Sequence, residues 1–159
     1  MDPHNLEEIV KSVNEIGKVI EKEKNAIKIT EALKNRIDQI RKHKPMVKPK
    51  VLALEWIEPF FTAGHWIPEM VNDAGGENLI SKEGEYSRKT GIDEIIKSDP
   101  DIIVMMPCGF DTFRTISEYN KILKTNKSWN SLRDIKNRKV FAVDANSISV
   151  NQVLEQLQG

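Results

Sequence analysis

The chain has 159 residues, enough for one domain with an appendage and too few for two full domains. Its 24 basic side chains balance 24 acidic ones, with a mild asymmetry: 12 basic against 8 acidic in residues 1–50, and 12 against 16 in the remainder. That excludes a basic nucleic-acid interface, one cysteine excludes a disulfide framework, and no apolar run nears the roughly 20 residues of a membrane helix.

Residues 5–43 predict one long helix. Asn5, with Glu8 three residues on, makes a capping-box-like start. Leu6, Ile9, Val13, Ile16 and Ile20, then Ala26, Ile29, Leu33, Ile37 and Ile40, put a narrow apolar stripe on a charged rod. The stripe slips around Glu21–Asn25, where a kink or a change of contact is expected. Lys42, His43 and Lys44 suit the helix C-terminus, and Pro45 stops it. Residues 1–45 are thus expected to form a helical arm, and residues 46–159 a lobe.

Within the lobe, strands and helices alternate. VLALEW (51–56) reads as a strand, followed by a helix from near His65 to Gly75-Gly76 and a short strand at Asn78–Ile80. A helix at Gly91–Lys97 precedes DPDIIVMMP (99–107), whose nearly continuous apolar run fits a central strand covered on both faces. Helices at Phe113–Leu123 and Trp129–Ile135, a strand at KVFAVDA (139–145) and a short amphipathic helix at Val150–Leu157 complete the order. The expectation is α/β: a long N-terminal helix, then a small three-layer, Rossmann-like lobe with a mainly parallel sheet.

The first strand runs into EWIEPFF, where bulky rings stand in place of a glycine-rich phosphate turn, so a dinucleotide site is not expected. Cys108 follows the strong strand and His65 the first one, the minimal makings of a thiolate–imidazole pair. The plainer reading makes Cys108 a small half-buried hydrophobe and His65 a helix-start residue. The three histidines sit on different elements without ligand spacing, so no metal site is expected. Binding is the stronger reading. Loops 55–66, 107–111 and 144–149 leave one edge of the inferred sheet, and 85–90 lies nearby. Together they offer Trp56, Phe60, Phe61, Trp66, Tyr86 and Phe110, with Ser87, Arg88 and Asp111 as polar partners, which suits a broad, partly apolar ligand. For Phe61 and Trp66 core packing is an equal alternative; Trp56 and Phe60 are the better candidates for an open wall.

VLALEWIEPFFTAGHWIPEMVNDAGGENLIS, with EYSRKTGIDEIIKSDPDIIVMMPCGFD and KVFAVDANS, resembles the C-terminal lobe of solute-binding proteins of metal-chelate importers. The likeness is to the cobalamin-binding branch, with iron-siderophore and haem binders as relatives, and it covers residues 2 to about 147. The first forty residues resemble the helix that joins the two lobes in that family. The resemblance implies a non-enzymatic protein, located outside the cell membrane, that clamps a chelate between lobes and docks on the permease of an ABC importer. It implies a ligand wall of Trp56, Pro59, Phe60, Trp66, Tyr86, Ser87 and Phe110, with Asp93 and Glu94 as the carboxylates presented to the permease. It also implies no intrinsic cofactor and a corrinoid ligand, or alternatively a ferric siderophore or haem, with His65 as a conceivable axial ligand. Two departures are expected to matter: the N-terminal lobe is absent, and ISVNQVLEQLQG replaces the family's aromatic, Pro/Arg-containing turn and final helix. MDPHNLEEIV shows no export-signal pattern. Self-association through the N-terminal stripe is expected in the absence of the other lobe. The alternatives are a stand-alone α/β enzyme using Cys108 and an interaction module working through its helix.

Overall fold

The computed structural model describes residues 1–132 and 139–148. The expected single rod is two helices, α1 (Leu6–Val19) and α2 (Glu23–Lys42), folded against each other as a hairpin. The break has a specific cause. Glu21 adopts φ 58°, Glu21 N–H donates to Lys18 O, and Lys22 N–H donates to Gly17 O at 2.7 Å. This is the double hydrogen bond of a left-handed helix stop, formed with glutamate where glycine is usual. Replacing Glu21 with Gly removes the steric cost of that conformation and is expected to raise stability by up to about 1 kcal/mol in chemical denaturation.

The stripe faces inward across the hairpin. Val13 and Ala26 are buried and pack with Ile16 and Ile29, so the middle of the stripe is covered within one chain, whereas Ile40 stays exposed. The helices approach so closely that a Cβ on Gly17 would lie 2.4 Å from the Ala26 Cβ. Val19, Ile20 and Ile27 stay exposed toward the tip. At the other end, Arg41 bridges to Asp73 at 2.7 Å and Leu6 N–H donates to Glu69 Oε2, tying the hairpin to the lobe.

The lobe is mixed α/β with a mostly parallel, open sheet. Its strands are β1 (Lys50–Ile57), β2 (Phe60–Thr62), β3 (Glu77–Asn78), β4 (Arg88–Lys89), β5 (Ile102–Met105) and β6 (Val140–Ala142). The order is β4-β2-β1-β5-β6, with β3 also on β1. β1–β3, β1–β5 and β5–β6 are parallel, whereas β2 folds back on β1 and pairs antiparallel with both β1 and β4. The sequence reading anticipated neither β2 nor β4: Glu58-Pro59 makes a two-residue turn, with Ile57 opposite Phe60.

Alternation along β1 builds three layers. Leu52 and Leu54 face one core with Ile95, Ile103, Met105, Leu123 and Trp129, beneath α4 (Ile92–Ser98), α5 (Thr112–Ile122) and α6 (Lys127–Asn130). Ala53 faces the other with Ala63, Ile67 and Met106, beneath α3 (Ile67–Asp73). A 3₁₀ turn spans Ala145–Ile148. The helix expected at Val150–Leu157 and the end of the one expected at Trp129–Ile135 lie outside the described residues.

Candidate ligand-binding edge

Where β1 reaches its carboxyl end, the backbone is stapled to the loop after β5. Met106 N–H donates to Leu54 O at 2.8 Å, and Cys108 N–H to Glu55 O at 3.1 Å. Ala145 N–H, after β6, donates to Phe110 O at 3.1 Å. Three strand exits therefore converge on one rigid edge, the usual location of ligands in open α/β sheets.

Trp56 stands on this edge, 37% exposed. Its indole Nε1–H donates to Glu58 O at 3.0 Å, which satisfies its polar group on the hairpin turn beside exposed Pro59 and leaves ring surface to solvent. The Phe110 ring lies 5.3 Å away at 62°, an edge-on contact. Phe110 itself is buried, because the Arg114 guanidinium covers its ring at 3.7 Å. Arg114 sits in the first turn of α5, which Asp111 caps by accepting Arg114 N–H at 2.7 Å. Sequence reasoning missed Arg114; the available signal was its spacing of four residues from Phe110 across a capped helix start.

Phe60 is a correction to the expected wall. It is buried and stacks on Trp129 at 5.4 Å with 15° between the planes. As the first residue of β2, paired with buried Ile57, it turns into the sheet's core face. Trp66 is half-buried and packs against the Ala53–Ala63–Ile67–Met106 core beside α3, so structural packing accounts for much of its ring.

Tyr86 and Ser87 belong to a second cluster, set back from the edge because β2 runs antiparallel to β1 and Ala63 N–H donates to Ala53 O. The Tyr86 ring is edge-on to His65 at 5.3 Å and to His4 at 4.8 Å, and its hydroxyl donates to Asp2 at 3.2 Å. That hydrogen bond, with the Asp2 charge, pushes the Tyr86 phenol up. Ser87 Oγ accepts Gly64 N–H at 3.2 Å. The N-terminal segment, which sequence reasoning treated only as a lead-in to the helix, thus clasps the 84–87 loop; His4 Nδ1 also meets Gly84 O at 2.8 Å.

Asp93 and Glu94 part company. Asp93 is exposed in the first turn of α4. Glu94 is engaged by both guanidinium nitrogens of Arg88, one at 3.2 Å, and by Thr90 Oγ1 at 2.7 Å. The hydrogen bond from Arg88, then that from Thr90, holds the Glu94 carboxyl below its ordinary value of 4.5. A depressed folded-state pKa contributes stability that is present above pH 4.5 and lost as the pH falls through the folded value. The pair is partly exposed and screened, so Glu94→Gln is expected to cost about 0.5 kcal/mol at pH 7. Urea midpoints measured against pH should show that deficit fading below pH 4.5.

Cys108 is exposed, and its thiol is pushed up by partial desolvation and by the Glu55 charge. A nucleophilic cysteine needs the opposite shift. The His65 ring lies against those of His4, Tyr86 and Trp66. No cluster of three metal-ligating side chains occurs among the described residues, and none of their helices is long and apolar enough to cross a membrane. A groove of about 440 Å³ lies elsewhere, between α5 and β6, lined by Met105, Ile116, Tyr119 and Phe141 among others.

The described residues thus form one Rossmann-like lobe with aromatic side chains at its carboxyl edge and a helical hairpin at its amino end. The chain belongs to the periplasmic binding protein family, whose model matches residues 2–147. It is similar to the high-affinity heme uptake system protein IsdE of Staphylococcus aureus strain bovine RF122 / ET3-1, 25% identical over 149 residues, covering 90% of this chain and 50% of that protein. In three dimensions it resembles an ABC transporter substrate-binding protein from Listeria monocytogenes EGD-e (TM-score 0.77, 22% identity, 98% of this chain and 62% of that one). It equally resembles S. aureus IsdE complexed with heme (TM-score 0.77, 22% identity, 98% and 63%). A further likeness is to the periplasmic heme-binding protein RhuT from Roseiflexus sp. RS-1 (TM-score 0.73, 15% identity, 99% and 62%). The chain spans about half the length of the curated relatives it matches.

Proposed function

We propose that this chain is the C-terminal lobe and helical arm of an extracytoplasmic solute-binding protein, and that its aromatic edge forms one jaw for a haem- or siderophore-class metal chelate delivered to an ABC-importer permease. The supporting observation is the exposed Trp56 face, fixed through its Nε1–H and backed by Phe110 at the convergence of three strand exits. The haem-uptake relatives favour an iron chelate over the corrinoid expected from the sequence. Trp56 and Pro59 would meet the ligand directly, with Phe110 behind them. Tyr86 and Ser87 would flank it, and Trp66 would support their loop from within. Exposed Asp93 would be the carboxylate offered to the permease, with Glu94 held by Arg88 to shape the same helix start.

A single jaw gives up much of the burial of a closed pocket, so micromolar rather than nanomolar binding is expected. Tryptophan quenching titrations with haemin, a ferric hydroxamate and cobalamin test the reading. Haemin or the hydroxamate should quench saturably, and Trp56→Ala should weaken binding about tenfold, as loss of a central aromatic anchor does. Absence of quenching by all three chelates, or wild-type affinity in Trp56→Ala, rejects the proposal. Saturable binding of cobalamin alone restores the corrinoid reading.

A further inference from the structure

Arg114 differs from the paired arginines of this chain. Arg41 is tied to Asp73, and Arg88 to Glu94. Arg114 is exposed, forms no ion pair among the described residues, and has its guanidinium carbon over the ring of Phe110, which in turn meets Trp56. An unpaired guanidinium held over a ring keeps its charge and its planar fork of donors while losing little conformational freedom when a partner arrives. The nearest acid in sequence, Asp111, spends Oδ1 on the amide of Arg114. Glu55, across the loop, is close enough to Cys108 for its charge to raise the thiol.

We infer that Arg114 is a specificity-determining anchor for a carboxylate on the rim of the ligand, so that this edge selects acidic planar chelates over neutral ones of the same shape. This rests on the proposed chelate-binding reading and deepens it. Phe110 then acts chiefly as the platform that positions Arg114, and the ligand's flat face meets Trp56. The geometry matches the chemistry: a fork of N–H donors takes a carboxylate through two parallel hydrogen bonds, and an ester at the same place cannot accept them as a charged pair.

The test compares haemin, which carries two free carboxylates, with its dimethyl ester in the same dilute organic co-solvent. Both are titrated by tryptophan quenching into the wild-type chain, Arg114→Gln and Arg114→Lys, with circular dichroism confirming the fold of each variant. The wild type should bind the diacid about tenfold more tightly than the diester. Arg114→Gln should lose that preference by weakening the diacid alone, and Arg114→Lys should keep part of it. The preference should shrink with added salt, as a partly exposed charge contact does. Equal affinities in the wild type, or a preference that survives Arg114→Gln, overturns the anchor while leaving the aromatic edge standing. Failure of both probes to quench removes the edge and the anchor together.

Discussion

Trp129→Ala is expected to lower stability by about 3–5 kcal/mol, the cost of deleting a buried aromatic and leaving a cavity that cannot fully collapse. Trp129 is completely buried, stacks on Phe60 and meets Tyr119 edge-on at 6.4 Å, so it joins β2, α5 and α6 through one side chain. Domains of this size hold about 5–15 kcal/mol in total, so the variant should unfold at a small fraction of the wild-type urea midpoint. Trp129→Phe should be far milder, because the indole Nε1 is buried with no hydrogen-bond partner among the described residues, so phenylalanine gives up no hydrogen bond to them. If alanine costs under 1 kcal/mol, Trp129 is not the keystone of this core face.

The second large effect is expected at Gly64. A Cβ there would sit 2.3 Å from Ser87 N, 2.5 Å from Tyr86 C and 2.6 Å from Glu85 O. All three are backbone atoms, so no rotamer change relieves the contact, and the 85–87 loop must move as a unit. Gly64→Ala should therefore cost about 3 kcal/mol, the upper range for overpacking, and should detach Tyr86 from His65. Thermal unfolding measures the first effect. A change in Tyr86 titration, as its hydroxyl leaves Asp2, reports the second. A variant with wild-type melting would show that the loop is not seated on Gly64.

The physics of the sheet explains which parts of this structure were readable. Continuous apolar runs such as IIVMM have no plausible home except a central strand, and β5 is found there. The α/β order and its parallel ladders followed from alternation of long periodic segments. The short antiparallel strands did not announce themselves. β2 depends on Glu58-Pro59 forming a turn, and β4 has only two residues whose partner is β2. Missing β2 put Phe60 on the wrong side, since the face of a residue in a hairpin is set by pairing with Ile57 and not by its neighbours in sequence.

The helical arm shows the complementary limit. The stripe spacing was correct, and the slip near Glu21 marked the right place, yet a left-handed stop at glutamate instead of glycine lacks the composition that signals a reversal. At the edge, Trp56 and Phe110 were legible as aromatics at strand exits. Arg114 was passed over, because its role arises from stacking across the loop-to-helix junction, which its four-residue spacing from Phe110 signals only once the helix start is placed at Asp111.

The central claim, that the carboxyl edge of the sheet carries the chelate-binding face, is tested most directly by the three indole N–H resonances of the ¹⁵N-labelled chain during addition of haemin. The paramagnetic iron should broaden the Trp56 signal first, with Arg114 side-chain signals responding alongside it and the Trp66 and Trp129 signals following only at higher haemin. Uniform broadening of all three indoles, or perturbation confined to the groove between α5 and β6 with Trp56 untouched, would contradict it.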